Sequence, residues 1–265
     1  MPAASFNEQP QHDQPHWRDF LADALRRIRV QWEFKLLLEV VVGVLFCAAY
    51  FLIGYHPLMP EHRLPLTRVD RAVGFHPYAW VWIYQSLYIP INLIPWLADR
   101  REDLRRYVRG MAWVSGISFL VFVAYPIRAP RPPMPDAHGM CWVLNQYDAT
   151  LNSFPSLHVA LLVYALAFGW RAFRGRLPRG SVAFCAIWGA AICYATLATK
   201  EHYAVDALAG AALALAADAL VWRNAATAGR PYPSLRGFSN IYAVGAGNDW
   251  PASIARRAVI DGGRR

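Results

Sequence analysis

The sequence predicts an all-α membrane protein, a bundle of six transmembrane helices preceded by an N-terminal amphipathic interfacial helix. Three observations carry this reading. Hydrophobic residues make up 56% and aromatic residues 14% of the 265 positions, with a mean hydropathy of +0.18, a composition shifted away from that of a soluble globule. Six apolar stretches, 36–54, 75–98, 111–127, 155–173, 182–198 and 203–222, are long enough to cross a hydrocarbon core, which takes about 20 helical residues. The arginines concentrate in alternate connections between these stretches instead of spreading over one surface.

Three regions follow along the chain. Residues 1–34 form a cytoplasmic N-terminal segment in which 1–15 are polar and expected to be disordered. Within it Trp17, Leu21, Leu25, Ile28 and Trp32 recur at helical spacing, with Arg18, Arg26 and Arg29 off that stripe. The stripe fits an amphipathic helix on the inner leaflet or a helix packed under the bundle. Residues 35–222 carry the six spans. The second span contains Gln85, Pro90, Asn92 and Pro95, which a spanning helix tolerates where neighbouring helices re-satisfy the backbone. Residues 223–265 turn polar and read as a loose cytoplasmic tail, with a short helix possible after Asp249-Trp250-Pro251.

Charge sets the expected orientation. The net charge of +9 would raise nucleic acid as a partner in a soluble protein. Here Arg26, Arg27, Arg29 and Lys35 precede the first span, Arg100, Arg101, Arg105, Arg106 and Arg109 follow the second, and Arg171, Arg174, Arg176 and Arg179 follow the fourth. The positive-inside rule puts these segments and both termini in the cytoplasm. Arg63, Arg68 and Arg71, in the first outward connection, weaken the contrast without reversing it. The expected partner is therefore the membrane, with no nucleic acid. No cleavable signal peptide is expected, because no apolar core precedes position 36. Cys47, Cys141, Cys185 and Cys193 form neither a disulfide framework nor a zinc spacing.

This topology brings chemistry to one face. The third span runs outward and delivers Arg128 and Arg131; the fourth and sixth run inward, with His158 and His202 at their outer ends. On a helix, His202 and Asp206 share a side, so the carboxylate can accept from one imidazole nitrogen and leave the other as an outward lone pair. Such an imidazole is a nucleophile or general base that can carry a phosphoryl group. His158 as imidazolium could protonate a departing alkoxide. Arg128, Arg131 and Lys200 are candidates to neutralise phosphate oxygens, and Ser156 with the backbone N–H groups opening the fourth helix adds an anion cradle.

Each feature alone has an ordinary explanation: an interfacial histidine, a first-turn proline at Pro155, arginines meeting lipid phosphates. Glu39 and Asp218, within spans, read as snorkelling or paired with Lys35 and Arg223. Trp80, Trp82, Trp96, Trp113 and Trp142 read as interface-belt or core aromatics. Two imidazoles and a carboxylate could instead hold iron or zinc, but the neighbouring arginines would repel a cation, so no metal is assigned. A lipid transporter or scaffold without catalysis is the remaining class.

Pro155-Ser156-Leu157-His158 resembles the second signature, Pro-Ser-Gly-His, of the type 2 phosphatidic acid phosphatase superfamily. His202 and Asp206 match the His-x-x-x-Asp ending its third signature, and Arg131-Pro132 matches the end of its first. Three positions depart: Leu157 replaces the glycine, Ala195-Thr196 replaces Ser-Arg, and Ala124 stands at the lysine of the first signature. Phe154-Pro155-Ser156-Leu157-His158, His202-Tyr203-x-x-Asp206 and the segment Tyr125-Pro126-Ile127-Arg128-Ala129-Pro130 are similar to the branch containing fungal inositol phosphorylceramide synthase. The resemblance implies His202 as nucleophile, Asp206 as its orienter and His158 as acid. It implies a phospholipid or sphingolipid substrate and transfer of a phosphorylated head group between lipids through a phosphohistidine, with no cofactor or metal. A lipid or isoprenoid-diphosphate phosphatase is the alternative.

Overall fold

The computed structural model describes residues 17–133, 139–173 and 176–223; segment 1–15 and the tail after Arg223, with its expected short helix, lie outside them. The described residues form α1 (Trp17–Arg29), α2 (Trp32–Tyr55), α3 (Arg68–Ala72), α4 (Pro77–Gln85), α5 (Tyr88–Trp96), α6 (Arg101–Ala124), α7 (Gly139–Tyr147), α8 (Leu157–Phe173), α9 (Ser181–Ala198) and α10 (Ala204–Arg223). They include no strand beyond isolated bridges joining His62 to Ile127 and Ile127 to Asn152. Four helices, α2, α6, α9 and α10, are long and apolar enough to span a membrane, and α8 is a shorter apolar helix of 17 residues. Leu37, Val44, Leu45 and Leu52 on α2 and Phe184 and Ile187 on α9 are each more than 60% exposed, a surface suited to lipid and not to water. The chain is an integral membrane protein.

The stretch expected as one second span is two helices. Pro90 has no N–H for the carbonyl of Ser86, and its ring would crowd that carbonyl, so the helix breaks at Ser86-Leu87. Ser86 is held in the break by its own hydroxyl, which donates to the Ile83 carbonyl at 2.6 Å, and by Trp188 Nε1, which donates to Ser86 Oγ at 2.9 Å. The third span starts earlier than its apolar run suggests, because the arginine-rich segment 101–109 continues the same helix. The loop 128–152, expected on the outer side, likewise contains a helix, α7.

Helix α8 is central, packed against α5, α6, α9 and α10. Its buried side chains Ala160, Tyr164, Ala165 and Phe168 meet Tyr107 and Val114 of α6 and Ala214 and Ala217 of α10. Small residues permit the closest approach: a Cβ added at Gly210 of α10 would lie 2.3 Å from the Ser156 carbonyl oxygen, a backbone atom. Gly210→Ala is therefore expected to destabilise the bundle by about 1–3 kcal/mol. It should also lower activity, since the same contact holds the Ser156 N–H to the Asp206 carbonyl at 3.0 Å. A thermal melt of the detergent-solubilised protein would read this, and an unchanged melt would refute the close packing.

Lys35, Glu39 and Asp218 are each partnered, but not as their spacing suggests. Lys35 Nζ donates to the carbonyls of Arg27 and Trp96 at 2.7 Å each, so Glu39 instead accepts from Trp96 Nε1 at 2.5 Å. Asp218 pairs with Arg171 of α8 at 2.5 Å, not with Arg223. Spacing along one helix predicted neighbours, whereas facing helices supplied them. At the same end of the bundle, the polar side of α1 is fixed by Arg27, which reaches Asp23, Asp99 and the Leu97 carbonyl, and by Arg176, 3.6 Å from Asp23. Trp17, Leu21 and Leu25 on its other side are each more than half exposed.

Candidate active site

The end of α6, the starts of α8 and α10 and the end of α9 meet at the bundle end opposite this cluster, and the residues singled out in the sequence converge there. Three loop segments are laced together at that end. His62 N–H donates to the Pro126 carbonyl at 2.9 Å, Arg128 N–H to His62 at 2.9 Å, Ala129 N–H to Thr150 at 2.8 Å and Ser153 N–H to Ile127 at 3.3 Å. The Phe154–Pro155 peptide in this region is cis.

The two histidines face each other directly, with His158 Nδ1 3.1 Å from His202 Nε2. Their protonation follows from the surrounding partners. His202 Nδ1 lies 3.0 Å from the Ser153 carbonyl, which can only accept, so Nδ1 carries the proton and Nε2 holds a lone pair. The proton in the His158–His202 contact is therefore on His158 Nδ1. The hydroxyl of Tyr84 lies 3.1 Å from both ring nitrogens of His158, and with Nδ1 protonated it is Nε2 that can accept from it. A single directed chain results, from Tyr84 through His158 and His202 to the Ser153 carbonyl.

Asp206 is fully buried and acts differently from its expected role. His202 precedes α10, which begins at Ala204, so the two residues do not share a helical face. Asp206 Oδ2 is 3.7 Å from His202 Nδ1, too far for a direct hydrogen bond. It accepts instead from Ser153 Oγ at 2.5 Å and from Tyr203 N–H at 2.9 Å. Asp206 thus fixes the residue whose carbonyl orients His202 and places a negative charge beside the ring. It also lies on the Nδ1 side of His202, away from His158, so the two imidazoles and this carboxylate do not converge on one point. Among the described residues no group of three or more His, Cys, Asp or Glu could hold a metal ion.

The candidate phosphate-binding groups have partners of their own. Ser156 is buried and caps α8, its Oγ accepting from Val159 N–H at 3.3 Å. Lys200, at a positive φ of 59°, turns its Nζ to the carbonyls of Asp70 and Val73 at 2.8 and 2.5 Å. Asp70 in turn accepts from Ala204 N–H at 2.7 Å, tying the α3 segment to the start of α10. Burial opposes its charge, yet the hydrogen bonds from Thr67 and Ala204 hold its carboxyl below the usual range. Arg128 pairs with the exposed Glu61 and reaches Thr150 Oγ1 at 3.0 Å.

Arg131 is nearly buried between two carboxylates. Its Nε donates to Glu201 Oε2 at 2.7 Å, its Nη2 to Asp148 Oδ2 at 2.5 Å and its Nη1 to the Asp148 carbonyl at 2.9 Å. Tyr50 completes the group by donating to Asp148 Oδ1 at 2.7 Å. Burial opposes the charge on Arg131, but Glu201 and Asp148 outweigh it and push its pKa above the ordinary arginine value. Burial pushes the Glu201 carboxyl up despite Arg131.

Four contributors were missed in the sequence. Glu201 had a visible signal, a carboxylate next to His202 in the short connection between α9 and α10. Asp148, Ser153 and Tyr84 had none, because each arrives through tertiary contact and Tyr84 through the break between α4 and α5.

A membrane helix bundle that gathers two facing imidazoles, a buried carboxylate and a buried arginine at one end is a phosphoryl-transfer type of site. The chain belongs to the PAP2 superfamily of phosphatidic acid phosphatase type 2, whose family model matches residues 61–220, and is accordingly a phosphatase-type enzyme. Neither the curated proteins nor the solved structures gave a match to it.

Proposed function

We propose that the protein is a membrane lipid phosphotransferase that moves a head-group phosphate, inositol-phosphate-like, between lipids through a phosphohistidine on His202. The observation that carries this reading is the directed chain, which leaves a lone pair on His202 Nε2 and a proton on His158 Nδ1 facing it at 3.1 Å. In the first step Nε2 attacks phosphorus as the lipid alkoxide departs and takes the proton of His158. In the second an acceptor alcohol returns a proton to His158 while its oxygen displaces Nε2. A 3.1 Å contact has no room for a phosphorus atom between the rings, so substrate entry parts them. His158 then moves toward the far side of phosphorus, where in-line displacement puts the leaving oxygen. Arg131 is the cation placed to meet phosphate oxygens, with Arg128, Lys200 and Ser156 shaping the loops around it.

The similarity of Phe154-Pro155-Ser156-Leu157-His158 and His202-Tyr203-x-x-Asp206 to the inositol phosphorylceramide synthase branch supports transfer over hydrolysis. We further propose six crossings, with α4 and α5 together making the second and α1 lying on the inner leaflet by its exposed Trp17, Leu21 and Leu25 face. The arginine-rich ends are cytoplasmic and the site is on the outer face.

One experiment tests both parts. Sealed right-side-out vesicles carrying the enzyme and a fluorescent lipid phosphodiester receive inositol or another membrane-impermeant polyol outside. A new phosphodiester formed without permeabilisation is the expected result. Release of inorganic phosphate from a monoester lipid, with no alcohol adduct, would assign the phosphatase activity instead. Product that appears only after permeabilisation would reverse the orientation.

A further inference from the structure

Among the described residues, Arg131 is the cation buried beside the histidines, and it is already shared by two acids. Arg131 contributes one positive charge, Glu201 and Asp148 two negative ones, and Asp206 a third, with both imidazoles neutral in the directed chain. The other two candidate cations do not redress this. Arg128 is engaged by Glu61 at the exposed rim, and Lys200 faces the carbonyls of Asp70 and Val73. Glu201 is 3% exposed and its Oε1 has no hydrogen-bond partner among the described residues. A carboxylate oxygen in that state accepts a hydroxyl hydrogen but repels the oxygen of a fully ionised phosphate.

We infer that Glu201, with Asp148, is a charge filter that excludes doubly charged phosphate monoesters and admits singly charged phosphodiesters. This deepens the proposed transfer reaction and rests on it for the identity of the site. Two charges brought close to a second carboxylate repel strongly at the effective dielectric of a partly buried site, enough to shift affinity by tenfold or more. A phosphodiester carries one charge, which Arg131 can match while Glu201 remains beside it. Glu201 contacts Arg131 and not the reacting atoms, so it determines specificity without being a catalytic residue.

Two non-hydrolysable amphiphiles test the filter: dodecylphosphonate at alkaline pH, where it carries two charges, and its singly charged monomethyl ester. Their dissociation constants are measured on the full chain in detergent by isothermal titration. The native protein should bind the monomethyl ester at least tenfold more tightly. Glu201→Gln should shrink that preference about tenfold, and Asp148→Asn should shrink it in the same direction, with gel filtration confirming that each variant is monodisperse. If Glu201→Gln does not fold, Asp148→Asn decides alone. Equal affinity for the two probes, no binding of either, or a preference that the folded variants leave unchanged would overturn the filter. Binding is read without turnover, so a His202-independent reaction would sink the proposed mechanism and leave the filter standing, while an unchanged preference would sink the filter alone.

Discussion

His202→Ala is expected to remove turnover by about ten-thousandfold or more and to abolish the acid-labile phosphoenzyme formed on mixing with substrate. The other imidazole of the site is no substitute. In the directed chain Nδ1 of His158 carries a proton and its other nitrogen faces the hydroxyl of Tyr84, which lies 3.1 Å from both, so His158 presents no lone pair to phosphorus. Asp206→Asn should cost less, roughly ten- to hundredfold, the size expected for losing one charge about 4 Å from a developing imidazolium. The direct orienter of the ring is the Ser153 carbonyl at 3.0 Å, and an asparagine can still accept from Ser153 Oγ and Tyr203 N–H. A full loss in Asp206→Asn equal to that in His202→Ala would mean that the carboxylate contacts the ring during reaction. Phosphoenzyme persisting in His202→Ala would reassign the nucleophile.

The contrast between these two variants shows what sequence could and could not carry. Four single apolar runs, and the approximate position of α8, were legible because a hydrocarbon-spanning helix imposes length and composition that few other elements share. The convergence of Arg131, His158 and His202 followed from counting crossings. The local geometry did not follow. A four-residue separation suggested that His202 and Asp206 share a helix face, but the helix starts at Ala204 and the chain bends at Glu201-His202. The same limit explains Glu39 and Asp218, whose partners Trp96 and Arg171 come from other helices. In a bundle whose spans are fixed mainly by hydropathy, polar pairings are decided by rotation about each helix axis, which composition does not specify.

Arg131 illustrates the point at the site. The Arg-Pro pair marks it as a candidate phosphate ligand, and Glu201, next to His202 in the chain, holds its guanidinium. Its resting partners, Glu201 and Asp148, are distant in sequence at 70 and 17 residues. A buried arginine held by two carboxylates is rigid, which favours recognition of one ligand geometry over many. In the proposed reaction, binding phosphate loosens at least one of these bonds and so couples entry of the head group to the segment that carries His202.

His158→Ala is expected to slow the reaction by about a hundred- to ten-thousandfold on a lipid substrate, with the loss depending on the leaving group. An alkoxide leaves poorly without a proton, whereas the p-nitrophenolate of an aryl phosphodiester leaves readily. Phosphoenzyme formation from the aryl ester should therefore be nearly spared in His158→Ala, while the lipid ester suffers the full loss; His202→Ala should abolish both. Two features of the structure support this division. The His158 proton is held on Nδ1 by contact with His202 Nε2, and Tyr84 is placed to donate to the other nitrogen. In the proposed mechanism the substrate parts the rings, which releases that proton from the nucleophile for the departing oxygen. Equal losses for the aryl and lipid esters in His158→Ala would show that His158 positions His202 or the phosphate and does not supply the proton.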